Sequence, residues 1–249
     1  MNSAIHIGLA QLPVVKGDIA HNLAQHVQMI EQSAASGADV LVFPELSLTG
    51  YELELAQTLA LPRASKVFAA LSHAAVRHNL VIIAGGFLQS PRGIKPTIGA
   101  VVCFADGAMT FYSKQTLHPG EATYCSEGSA PCCINVKGFR MALAICADFS
   151  APEHARNACA LGADVYIASA LISERGYQAD AQLLSGIAVA HKIPVLLSNH
   201  ISKTGGWSAC GNNGVWNARG ELVFSSGSKD RCWVLCKISK GAVTATKHG

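Results

Sequence analysis

The chain of 249 residues is 50% hydrophobic and only 14% charged, which requires a large buried core and excludes extended disorder. Its formal net charge of +3, without any run of like charges, gives no electrostatic footprint for nucleic acid. No apolar run approaches the roughly 20 residues that span a bilayer, and the N-terminus lacks the basic start and apolar core of a secretory signal, so a soluble cytoplasmic protein with no membrane partner is expected.

Residues 4–11 form a β-rich segment. Residues 19–36 carry Leu23, Val27, Ile30 and Ala34 at helical spacing, and Gly37 ends that helix as a C-terminal cap. Residues 39–43 are a short apolar strand halted by Pro44, which completes a βαβ opening with both strands in one sheet. A second helix is expected from Pro62 to about Asn79, followed by a buried strand over 80–87. Strands then follow at 97–104, 109–113, 132–136 and 140–146, some separated by turns at Asp106-Gly107 and Lys137-Gly138. Residues 152–161 read as a helix, 164–169 as a strand, 177–191 as a helix and 195–199 as a strand, and the last fifty residues are β-rich. No low-complexity linker or internal repeat divides the chain. The expectation is one α/β domain over residues 1–249, built as two sheets packed on each other with helices outside.

The nine cysteines are an odd number, and several lie inside apolar runs, as reduced thiols used as small hydrophobes do. Paired short spacings of Cys and His are missing and no His-Glu-x-x-His occurs, so no metal site is expected. Gly85-Gly86 and Gly205-Gly206 are not followed by phosphate-loop patterns, which argues against a nucleotide cofactor. Trp207 and Trp216 lie in the late β region and read as core or dimer contacts.

Three reactive side chains stand where an apolar pattern reaches a strand end. Glu45 follows Val-Leu-Val-Phe-Pro, Lys114 closes the strand over 109–113, and Cys146 closes Met-Ala-Leu-Ala-Ile. Strand ends are rigid, and the loop beyond can open to a substrate. A thiol, an amine and a carboxylate held together have a chemical logic. The carboxylate takes the thiol proton, the ammonium stabilises the thiolate and then the oxyanion, and the carboxylate shuttles protons to the leaving group. Separations of this size are bridged only by a fold.

Three ordered motifs strengthen this reading: Phe43-Pro-Glu-Leu-Ser-Leu-Thr-Gly-Tyr51, Tyr112-Ser-Lys-Gln-Thr-Leu-His-Pro-Gly-Glu121, and Ala144-Ile-Cys-Ala-Asp148 with Pro152-Glu153 behind it. In order and spacing they resemble the carbon–nitrogen hydrolase (nitrilase) superfamily, over essentially the whole chain. The resemblance implies an α-β-β-α sandwich with two central mixed sheets, commonly paired into a homodimer. It implies Glu45 as general base, Lys114 as the stabilising cation, Cys146 as nucleophile, Glu121 as a supporting second glutamate and the Ala147 N–H as an oxyanion donor. Tyr51, Phe149, Ala170 and Leu171 are candidate pocket walls, and Asp148 is expected to hold the nucleophile loop by accepting backbone N–H groups. The chain departs from the family pattern at Ala147, where Tyr or Trp is frequent, at Ala190-His191, where a Glu-Asn pair is usual, and in Ala168-Ser-Ala-Leu-Ile172, which lacks an aromatic.

The expected activity is hydrolysis of a small linear amide or N-carbamoyl compound through a thioester, without cofactor. Alternatives are nitrile hydrolysis at the same three residues, a catalytically silent binding or regulatory member of the fold, and a metal-dependent hydrolase using the His and Cys content.

Overall fold

The computed structural model describes residues 4–90, 93–227, 230–239 and 242–249. Strand β1 (Ile5–Gln11) is buried at every position but His6, because it is paired on both edges. Asp18 then opens helix α1 (Ile19–Ala35) by accepting the His21 N–H at 3.0 Å, and Gly37 follows the helix at φ +85°, a conformation glycine takes without strain. Strand β2 (Val40–Val42) comes next, then the short helix α2 (Ala56–Leu59) and helix α3 (Lys66–His78). The second long helix thus starts four residues later than Pro62 suggests. Ser65 caps it by accepting the Val67 N–H at 3.1 Å, while Pro62 to Ser65 forms a turn closed by Ser65 N–H to the Pro62 carbonyl at 2.9 Å.

The middle of the chain supplies β3 (Val81–Leu88), β4 (Thr97–Cys103), β5 (Met109–Ser113), β6 (Cys133–Val136) and β7 (Phe139–Ile145). Helix α4 (Pro152–Ala160), strand β8 (Val165–Ala170), helix α5 (Tyr177–His191) and strand β9 (Val195–Asn199) form a second α/β run. The late β region resolves into a small hairpin, β10 (Lys203–Thr204) with β11 (Trp207–Ser208), then β12 (Gly214–Trp216), β13 (Leu222–Ser225), β14 (Cys232–Ser239) and β15 (Ala242–His248).

Two mixed sheets result. One has the order β15-β14-β1-β2-β3-β4-β5 and the other β13-β12-β9-β8-β7-β6. In each the parallel strands lie centrally, β1-β2-β3 in the first and β7-β8-β9 in the second, with antiparallel strands outside. Parallel strands need both faces covered. Ile7, Leu9, Val42 and Ile83 meet Leu143, Ile145, Ile167 and Leu196 between the sheets. On the outer face of the first sheet, Met29 and Ile30 of α1 and Phe68 and Leu71 of α3 cover Leu41 and Ile82. On the outer face of the second, Ala155 and Ala158 of α4 and Leu184 and Ala188 of α5 cover Ala144, Ala168 and Leu197. The layers are therefore α-β-β-α. All nine cysteines are free; Cys103, Cys125, Cys210, Cys232 and Cys236 are buried, and Cys103, Cys125 and Cys236 pack in the apolar core. Among the described residues, no helix is long and apolar enough to cross a membrane.

Buried hydroxyls and an amide lock the sheets together at one end. Ser198 donates to the carbonyls of Ala10 (2.8 Å) and Val42 (3.1 Å), Ser169 donates to the Phe43 carbonyl (2.7 Å), and the Asn213 amide donates to Leu9 and Ala10. Serine and asparagine here fix sheet against sheet, because a slip would leave buried polar groups unpaired.

Candidate active site

Glu45 sits in the tight loop after β2 rather than in the strand. Leu46 beside it takes φ +51°, and the loop backbone rests on Gly85 of β3, where a Cβ would lie 2.5 Å from the Leu46 nitrogen and 2.8 Å from the Pro44 carbonyl. Only glycine permits that approach. The Leu48 N–H donates to the Gly85 carbonyl at 2.9 Å. From beneath, His200 donates its Nε2–H to the Glu45 carbonyl, and burial lowers its pKa to about 4, so the ring is neutral. His26, also lowered to about 4 by burial, stacks on Phe43 at 4.0 Å and bridges the Asn22 carbonyl to the Ser47 hydroxyl. Neither histidine is marked as a site residue by spacing or motif; only the loop's packing shows their place.

Cys146 departs from the expectation that it closes its strand. β7 ends at Ile145, and Cys146 begins a 3-10 turn (Cys146–Ser150) at φ +44°, a left-handed conformation that costs a non-glycine residue energy and is held by its surroundings. Asp148 provides that hold. Its carboxylate accepts the N–H groups of Ile145 (2.9 Å), Gln115 (2.9 Å) and Thr116 (2.8 Å) and the Tyr112 hydroxyl (2.6 Å). One buried carboxylate thereby ties the thiol's turn to the segment that follows Lys114.

Lys114 is fully buried. Its Nζ donates to Glu45 Oε1 and Glu121 Oε1, each at 2.8 Å. Glu121 accepts two further donors, the Tyr51 hydroxyl at 2.5 Å and the His118 N–H at 2.7 Å. Burial pushes the Glu45 carboxyl up to about 7 against the pull of the Lys114 ammonium, and the charge of Glu121 adds to the rise. For Lys114, burial opposes the charge, but Glu45, Cys146 and Glu121 outweigh it and hold the ammonium above its usual range. Burial, then the Glu45 charge, raises the Cys146 thiol, with Lys114 acting the other way. The thiol is therefore protonated at rest. Among the described residues Glu45 Oε2 is buried without a hydrogen-bond partner; the Cys146 thiol, whose Sγ donates to the Leu171 carbonyl at 4.0 Å, is close enough to help the Glu45 carboxyl stay charged.

The thiol opens onto a cavity of about 320 Å³. Tyr51, Phe149 and Leu171 line it as the sequence suggests, with Ala147 beside the thiol. Ala170 does not line it: alternation along β8 turns Ala170 to the helix-side core, where it packs with Phe149 and Ile172. His118, Ser173, Asp180 and Trp207 were not marked as walls by the sequence, and the structure adds them. Trp207, read above as a core or dimer contact, faces the cavity from the β10-β11 hairpin with its ring 6.0 Å from and edge-on to His118, whereas Trp216 is buried in the core. His118 lies within the Tyr112–Glu121 motif but nothing there marks it as a wall, and Asp180 carries no sequence signal. The aromatic surface missing from residues 168–172 comes from Trp207 and Tyr51.

The chain has relatives among known proteins. The family model for carbon–nitrogen hydrolases matches residues 6–247. The chain belongs to that family. Among curated relatives, an (R)-stereoselective amidase of Pseudomonas sp is 34% identical over 65% of this chain and 58% of its own, and a formamidase of Pseudomonas syringae pv. syringae is 26% identical over 89% of this chain and 65% of its own. The matched part thus spans under two thirds of the length of these relatives. Among solved structures, Nit3 of Saccharomyces cerevisiae, a nitrilase-superfamily member, superposes with a TM-score of 0.88 at 20% identity over 95% of this chain and 90% of its own. A mutant amidase from Nesterenkonia sp. AN1, carrying acrylamide added to its active-site cysteine, superposes with a TM-score of 0.82 at 22% identity over 93% and 92%. These two likenesses establish the carbon–nitrogen hydrolase fold of the chain.

Proposed function

We propose that the chain, as a single domain, hydrolyses a small linear amide or N-carbamoyl compound at Cys146, without a cofactor. The observation that carries this reading is the convergence of an acid, an amine and a thiol 69 and 32 residues apart along the chain, with Glu45 bonded to Lys114 at 2.8 Å, Cys146 beside both, and the thiol lining the cavity. Amidases and a formamidase among the relatives support the reaction class.

In this mechanism Glu45 takes the Cys146 proton as sulfur attacks the carbonyl carbon. Lys114 has two of its three protons on Glu45 and Glu121, which leaves the third for the oxyanion, with the Ala147 N–H as second donor. Collapse of the tetrahedral adduct breaks the C–N bond, and the leaving ammonia or amine takes the proton from Glu45. Water, deprotonated by Glu45, then attacks the thioester, and the acid leaves as the thiol is restored. Tyr51 and Glu121 hold the ammonium in place. Cys146→Ala is expected to remove turnover in an ammonia-release assay across amides, N-carbamoyl compounds and nitriles while circular dichroism stays unchanged; retained turnover overturns the proposal. Iodoacetamide should alkylate Cys146 ahead of the other eight thiols, and Glu45→Gln should slow that labelling, because the resting thiol needs a base. Equal slow labelling of all nine thiols favours a silent member of the fold.

A homodimer through α4 and α5 is part of the proposal. Pro152, Ala155, Leu183, Ile187 and Ala190 form an apolar groove there, and Leu183 is 43% exposed. Phe149 and Ser150 line both this groove and the cavity, so a second copy seated there would brace the wall beside Cys146. The departure at Ala190-His191 falls on this face and not in the cavity.

A further inference from the structure

The cavity wall carries one carboxylate that the mechanism does not use. Asp180, in the first turn of α5, lines the same 320 Å³ cavity as Cys146. No described residue hydrogen-bonds its side chain or lies within ion-pair distance of it. An acid in the first turn of a helix is favoured by the helix dipole, which accounts for an aspartate there in general terms. It does not account for turning the group inward, where burial disfavours its charge and pushes its carboxyl up, with the neighbouring His118 acting the other way. No Lys or Arg is among the residues that line the cavity, and Lys114 beneath it is committed to Glu45 and Glu121. A substrate ending in a carboxylate would meet Asp180 and find no fixed cation. A substrate ending in a cation would find Asp180, with the Trp207 and Tyr51 rings in the same cavity as faces a cation can rest against.

From this placement we infer that Asp180 reads the far end of the substrate and selects amides that carry an ammonium group there. The inference rests on the amide end being held at Cys146 as proposed above. The amide and the charged end are then bound by separate groups of one cavity, so chain length between them sets fit, and Asp180 is a specificity residue that takes no part in bond breaking.

Amides of matched length that end in ammonium, methyl or carboxylate test this: 5-aminopentanamide, hexanamide and adipamic acid. The intact protein is expected to favour the ammonium amide over the methyl one by about tenfold or more in kcat/KM, the scale of one charge-assisted hydrogen bond, with the carboxylate amide poorest. In Asp180→Asn the ammonium-to-methyl ratio should collapse by a similar factor, whereas a merely structural role lowers both rates together and leaves the ratio. An unchanged ratio in D180N overturns the inference while amide hydrolysis stands. Preference for adipamic acid also overturns it and makes His118 the reader. Calorimetry with Cys146→Ala separates the two proposals. If neither these amides nor the N-carbamoyl compounds and nitriles are hydrolysed by the intact protein, the hydrolase reading fails, and the inference still stands or falls on whether 5-aminopentanamide binds C146A about tenfold tighter than hexanamide and loses that margin when D180N is added.

Discussion

Glu45 carries the sharpest consequence at the level of single residues. Its carboxyl is raised to about 7 because burial outweighs the attraction of Lys114, and it accepts the thiol proton only when ionised. The raised value means activity is present above about pH 7 and is lost as pH falls through it; kcat/KM should drop close to tenfold per pH unit on the acid side, in the manner of one titrating base. Stability runs the other way. The fold favours the protonated form, so this group's contribution is full below its ordinary value of 4.5 and fades as pH rises through about 7. A pH–rate profile of kcat/KM checks the first statement, and an acid limb near the ordinary carboxylate range would contradict it. Cys146 shows the complementary point. Its φ of +44° is maintained by Asp148, whose four accepted hydrogen bonds bind the turn to the Lys114 segment.

Individual elements hold these residues by backbone contact more than by side chains. The loop over 44–50 lies directly against β3 at Gly85, and an added methyl would meet Leu46 and Pro44 backbone, which cannot swing aside as a side chain can. Gly85→Ala should therefore shift Glu45 relative to Lys114 and lower kcat by about 10²-fold, the cost of misplacing a reacting group by roughly an ångström. A variant with wild-type kcat would show that the loop yields. Ser169 works from the other sheet. Its hydroxyl holds the Phe43 carbonyl at 2.7 Å from a position paired with Ile145, next to the thiol. Ser169→Ala leaves that buried carbonyl without its donor and is expected to cost about 1–3 kcal/mol in denaturant unfolding, with a loss of kcat because the acid and the thiol lose their common tie.

For the molecule as a whole, the decisive feature is that each reactive group arrives on a different strand end of two opposed sheets. The acid comes from the first sheet's parallel centre, the amine from its edge strand β5, and the thiol from the second sheet's parallel centre. The thiol meets the other two only because the sheets pack face to face and are tied there by Asp148 and Ser169, so the site should melt with the whole fold and not as a local unit. The proposed dimer belongs to the same scale. Leu183→Glu places a charge in the α4-α5 groove and should convert a dimer to a monomer in light scattering, with a weaker kcat because Phe149 and Ser150 lose their backing. A variant that keeps the wild-type mass moves the interface elsewhere.

Hydropathy period and chain order by themselves determined two packed sheets with helices outside, most strands and helices up to residue 199 to within a few residues, and the place of Glu45, Lys114 and Cys146 as polar residues at strand ends. These depend on local patterning: apolar runs of strand length mark buried strands, and a polar residue at such a run's end is visible without a fold. The α-β-β-α class and the roles of those three are what the resemblance of the motifs implied. What only the tertiary structure decided are the contacts made across long separations. The strained turn at Cys146, the two neutral histidines under the Glu45 loop, and the inward placing of Trp207 and Asp180 leave no periodic trace. Each is set by which backbone or ring lies against it from elsewhere in the chain. Ala170 shows the limit most plainly: its neighbour Leu171 faces the cavity and it faces the helices, a difference of one residue in strand alternation that composition cannot express.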